Sequence, residues 1–175
     1  MKKINLFLLF FLLFSFNSHG FKQEDLDKLK AINQCIGCNL TEAPLFGLDL
    51  NGANLQDAKL DFANLENVSL RDANLGFVSM RGTYLIGANL VRTNLTDGDL
   101  SGANLQNANL RESMMVGIDL RGADLTGANL QEVNLHNARL ERAVLRGASL
   151  DFADLISAKF CNTIMPKGDT AIKDC

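Results

Sequence analysis

Tryptophan is absent from these 175 residues, tyrosine occurs once, and proline and histidine occur twice each. So little proline excludes collagen-like and proline-rich extended segments. One histidine, His19, falls in the first twenty residues and leaves only His136 beyond them, too few for a histidine-based metal site or catalytic pair. Neither charge sign dominates, with 17 Lys and Arg against 20 Asp and Glu. No basic patch stands out, so nucleic-acid binding is not expected. A glycine-rich phosphate loop is lacking as well, because the glycines are dispersed, as at Gly82, Gly102 and Gly122. No apolar run has the length of a bilayer-spanning helix, about 20 residues.

The longest such run, residues 6–16, follows Met1-Lys2-Lys3 and suits a secretory signal. Small residues Ser18 and Gly20 place a cut after Gly20, and no Cys follows it to carry a lipid. An uncleaved anchor is the alternative. The expected product is exported (periplasmic, lumenal or extracellular) and makes no stable membrane insertion once the signal is removed. Without Lys2 and Lys3 the 17 basic residues fall to 15, against 20 acidic ones, for a net charge of about −5.

What is there is a repeat. In residues 40–160 every fifth position is large and apolar, 25 positions in all, and each is Leu except Met80, Met115 and Phe160. Two residues earlier stands Ala in 15 of the 25 units, and the place between holds Asn or Asp in 15, so the unit reads Ala-(Asn/Asp)-Leu-x-x. A helix would rotate successive Leu by roughly 140° and scatter them over every side. A flat strand would throw them alternately to opposite faces. Only a chain that bends at each unit keeps Ala and Leu on one common axis, and such a chain is a solenoid. The Asn and Asp before each Leu are read as local hydrogen-bonders that tolerate turn conformations.

The uninterrupted units resemble the pentapeptide-repeat family. That resemblance implies an all-β fold, a right-handed quadrilateral parallel β-helix with four units per coil. It gives about six coils and a rod roughly 30 Å long at the spacing of neighbouring strands. Residues twenty apart should then stack. One inner column reads Ala58, Val78, Gly98, Ile118, Ala138, with a small residue between two large ones as close packing requires. The start Cys35-Ile36-Gly37-Cys38-Asn39-Leu40 and the end Cys161-Asn162-Thr163-Ile164-Met165-Pro166-Lys167-Gly168, closed by Cys175, are similar to those of exported members. The expected organisation is a signal over 1–20, a short α-helical cap over 21–37, the β-helix over 38–160 and a disulfide-closed C-terminal cap over 161–175. Within the cap Leu26, Leu29 and Ile32 recur at helical spacing.

An even cysteine count in an exported protein points to disulfides. Local pairing, Cys35 with Cys38 and Cys161 with Cys175, is the simplest arrangement, because the two ends of the rod stand too far apart to be bridged. Each pair closes locally or stays reduced. A redox-active Cys35/Cys38 pair is the alternative functional reading, but a thiolate at the C-terminal end of a helix is disfavoured by the dipole. The favoured function is a non-catalytic scaffold, rigid and exported, that binds a protein or serves as structure, without cofactor or metal. A DNA-mimicking, topoisomerase-binding protein is a third possibility, opposed by mixed outer columns such as Asp61, Arg81, Ser101, Arg121, Glu141. Outward Phe77, Ile86, Val91 and Val116 are the candidate partner contacts. The chain is expected to be a monomer or weak dimer, with both ends capped.

Overall fold

The computed structural model describes residues 20–175, so all of the proposed signal segment but Gly20 lies outside the described residues. From Gln34 to Val144 every fifth residue forms a parallel bridge to the residue twenty further on, Asn54 to Asn74 and Asn74 to Asn94 among them. Twenty residues therefore make one coil, with a turn after each five. The bonding is regular: Leu40 N donates to Lys59 O at 2.7 Å, Glu42 N to Asp61 O at 2.8 Å, and Lys59 N back to Cys38 O at 2.8 Å. Within each unit the chain turns through a bond such as Ala43 N to Leu40 O, 3.0 Å.

The turn needs a left-handed residue two places after each Leu, as at Glu42 (φ 61°), Asn67 (φ 54°) and Phe77 (φ 59°). Positive φ at the third residue is the mark of a type II turn. The Asn or Asp before Leu does not take that conformation; it sits in the bridging segment and keeps the local hydrogen-bonding role expected of it. Its side chain instead accepts a backbone N–H two residues on, Gln56 N to Asn54 Oδ1 at 3.3 Å and Thr96 N to Asn94 Oδ1 at 3.1 Å. These amides also hydrogen-bond up the column, Asn74 Nδ2 to Asn54 Oδ1 at 3.3 Å and Asn94 Nδ2 to Asn74 Oδ1 at 3.0 Å.

Inside, the Leu columns are closed to solvent, and Leu55, Leu75, Leu95 and Leu135 are each 0% exposed. Burying such a side chain is worth about 1.5–3 kcal/mol before ordering entropy. Four hydroxyls also point inward at the small-residue place. Thr83, Thr93 and Thr163 donate to the turn carbonyls of Leu60, Leu70 and Leu140 in the preceding coil, at 2.9, 2.7 and 2.6 Å, and Ser113 donates to Leu110 O at 2.7 Å.

Helix α1 (Gln23–Ile32) lies over the first coil, with Leu26 and Leu29 buried in the same core. Glu24 and Asp25 stand in its first turn and Lys30 in its last, the order that complements a helix dipole. Asn33 ends it in the left-handed conformation, and its Nδ2 donates to Asn51 O at 2.8 Å. At the opposite end strands β1 (Thr163–Ile164) and β2 (Thr170–Ala171) pair antiparallel as a small hairpin. The last residues of the chain cover the Leu140 and Leu145 sides, where Leu140 N donates to Lys159 O at 2.9 Å and Leu145 N to Ile164 O at 2.7 Å. They leave the Leu150 and Leu155 sides uncovered. Among the described residues Leu150 N and Leu155 N have no backbone partner, while the tail turns into the β1–β2 hairpin. No helix among the described residues is long and apolar enough to cross a membrane.

Candidate interaction surfaces and cysteine pairs

The four expected contact residues do not form one patch. Stacking at twenty residues puts Phe77 and Val116 on the side of Leu75 and Met115, Ile86 on the side of Leu85, and Val91 on the side of Leu90. Phe77 is exposed, Ile86 and Val116 are half-buried, and Val91 is only 7% exposed. Val91 therefore cannot serve as a contact in this conformation. Its column neighbours are Arg71 and Arg111. Phe46, Tyr84 and Met114 are large, apolar and exposed, and were not singled out from the sequence. Met114 shares a side with Val116 and Ile156.

The mixed outer charges pair between coils. Arg81 contacts Asp61 at 2.9 Å, Arg92 contacts Asp72 at 2.7 Å, and Arg111 reaches Glu132 at 2.8 Å. Asp119 takes Arg121 at 2.6 Å and Arg139 at 3.4 Å. For Asp61 burial works to raise the pKa, but hydrogen bonds from Arg81 and Ser79 outweigh it and hold the carboxyl below its ordinary value. Asp119 is lowered in the same way, burial being overcome by Arg121 and Arg139. Asp124 is lowered against burial by Thr126 and Gln106. A shallow cleft beside the C-terminal tail is lined by Arg121, Arg139, Glu141 and Arg142, and Glu141 Oε2 is buried there without a hydrogen-bond partner.

Cys35 is joined to Cys38 and Cys161 to Cys175, with Cα separations of 5.3 and 4.9 Å, and no described cysteine is free. The first pair does not sit at the end of α1 as its place in the sequence suggested. After Asn33 the chain doubles back, so Cys35 Sγ lies 3.1 Å from the carbonyl oxygen of Asp25 in the first turn. The Asp25 carboxylate is within 4.8 Å of both sulfurs and accepts Asn39 N at 2.8 Å. Among the described residues these three are also a group close enough together to hold a metal ion, but with both sulfurs committed to a disulfide only the carboxylate remains as a ligand.

Comparison with known proteins places this geometry. A search of curated proteins finds no match. Among solved structures the chain is similar to a trypsin-treated form of QnrB1, a plasmid-mediated fluoroquinolone resistance protein, at 18% identity and TM-score 0.45. That match covers 69% of this chain and 64% of the other, so this chain spans a little under two thirds of that relative. HetL, involved in heterocyst differentiation regulation in the cyanobacterium Nostoc, is 24% identical over 87% of this chain and 100% of its own, with TM-score 0.36. A pentapeptide-repeat protein of the Arabidopsis thaliana thylakoid lumen is 32% identical over 74% of this chain and 72% of its own, also with TM-score 0.36. The family model described as pentapeptide repeats matches in eight copies, over residues 38–76, 49–87, 88–127, 103–142 and 128–165. With most of its length covered by that match, the chain belongs to the pentapeptide-repeat family, whose members form right-handed quadrilateral β-helices.

Proposed function

We propose that the protein is a non-catalytic scaffold of about six coils, exported to an oxidising compartment, whose flat outer sides dock a protein or serve as structure. The observation that carries this reading is the filled interior. Every fifth residue seals the axis from coil to coil, and the backbone ladder ties each coil to the next, so the molecule offers rigid outer sides rather than an enclosed site. Two local disulfides support an oxidising compartment, periplasmic, lumenal or extracellular. Residues 1–20 act as the signal, α1 caps the first coil, and the tail over 161–175 closes part of the last. The working form is a monomer or weak dimer that binds neither nucleic acid nor membrane.

Crosslinking pull-down from the protein's own extracytoplasmic extract tests the docking role. One control carries Phe77→Ser with Val116→Ser, the other Phe46→Ser with Ile86→Ser, since each pair stands on one side. A partner lost in one control and kept in the other supports docking and identifies the side. Absence of any enriched partner from all three samples leaves only the passive structural role.

A further inference from the structure

We propose that the uncovered half of the C-terminal end binds an extended polypeptide segment as one more layer of the β-helix, and that this segment carries Leu followed directly by Lys or Arg. The inference rests on the scaffold reading and narrows it to one place. One coil below, the relevant backbone groups are all paired: Leu130 N to Ser149 O, Glu132 N to Asp151 O, Leu135 N to Asp154 O and Asn137 N to Ile156 O, at 2.8–3.0 Å. Ser149 N and Asp154 N in turn reach Ala128 O and Val133 O at 3.0 and 2.9 Å. The equivalents in the last coil are the donors Leu150 N, Phe152 N, Leu155 N and Ser157 N and the acceptors Ala148 O and Ala153 O. None of them has a protein partner among the described residues. An unpaired edge of this kind is a template for strand addition.

The side chains match that open edge. Leu130 and Leu135 are 0% exposed, whereas Leu150, Ala153 and Leu155 are only partly buried, Phe152 is 91% exposed and Ile156 is 63% exposed. At the opposite end α1 packs Leu26 and Leu29 against the first coil.

Charge selects the occupant. On the Leu150 side Asp72 pairs with Arg92 and Arg111 with Glu132, whereas the last coil presents Asp151. Asp151 accepts Gln131 Nε2 at 3.3 Å and Ser149 Oγ at 3.1 Å but has no cation among the described residues, and Asp154 has none either. A layer in the register of the rod places its Leu over Leu150 and the next residue over Asp151. That residue should be basic.

The test uses the full chain and fluorescein-labelled peptides of two units, one with the unit Ala-Asn-Leu-Lys-Gly and one with Ala-Asn-Leu-Glu-Gly, read by anisotropy. Saturable binding of the Lys peptide is expected, with the Glu peptide weaker by about fivefold, the scale of one cross-strand charge pair. Asp151→Lys should reverse that preference, and Lys28→Ser, on the exposed face of α1 at the opposite end of the rod, should leave it unchanged. Absence of saturable binding, equal binding of the two peptides, or insensitivity to Asp151→Lys would overturn the proposal. So would sedimentation showing a dimer that excludes the peptide, which would assign the end to a second copy. If the pull-down partner survives Asp151→Lys while the peptides fail to bind, the edge proposal falls and the scaffold stands.

Discussion

Gly98 shows how little slack an inner column has. A Cβ built there would stand 3.1 Å from Leu95 O and 3.3 Å from Val78 Cγ1. Gly98→Ala should therefore destabilise the chain by about 1 kcal/mol through overpacking, a shift that denaturant unfolding would resolve. No change in the midpoint would mean that Val78 simply moves aside. The buried hydroxyls behave differently. Thr93 Oγ1 donates to Leu70 O, which Ala73 N also satisfies at 3.1 Å. Thr93→Val keeps the shape and orphans no acceptor, so its cost should stay near or below about 1 kcal/mol. The spacing of Val78, Gly98 and Ile118 was legible in the sequence, because volume alternation follows directly from stacking at twenty. The left-handed residue was not. Asn and Asp favour that conformation by themselves, but the turn bond forces it two places after Leu, whatever residue stands there, even Phe62 or Arg142.

At the scale of elements, the ends do what the repeat cannot. Leu29 is 1% exposed under α1, and Leu29→Ala should cost about 3 kcal/mol and expose the first coil to early proteolysis. Equal protease resistance in wild type and variant would show that the helix is not needed as a cover. Cys175→Ser opens a loop of sequence separation 14 and should cost about 3 kcal/mol in the chain-entropy picture. In reductant the variant and the wild type should unfold at the same midpoint, because the Cys35–Cys38 bridge is then open in both. The helix was legible from Leu26 and Leu29. The fold-back that sets Cys35 beside Asp25 was not, because it depends on Asn33 reversing the chain and on where the first coil receives it. The half-open C-terminal end could have been found by counting: residues 150 and 155 would need partners at 170 and 175, and Pro166-Lys167-Gly168 turns the tail away first.

For the whole molecule, the lowered carboxyls of Asp61, Asp119 and Asp124 set the response to acid. A folded pKa below the unfolded one means that stability is present above the unfolded value and lost as pH falls through the folded one. Stability should thus hold down to about pH 4, the ordinary carboxylate range, and decline below it. Asp61→Asn should flatten that decline, measured as the unfolding midpoint against pH; an unchanged slope would remove Asp61 from the account.

The ladder of bridges at a constant step of twenty makes length and direction separable. Inserting one whole coil would move the two ends apart by about 4.8 Å and leave every side facing as before. Inserting a single unit would instead turn everything beyond it by a quarter revolution, carrying the open C-terminal half round to a different bearing from the helix at the other end. Evolution by duplication of units can therefore set separately how far apart two attached partners stand and which way they face.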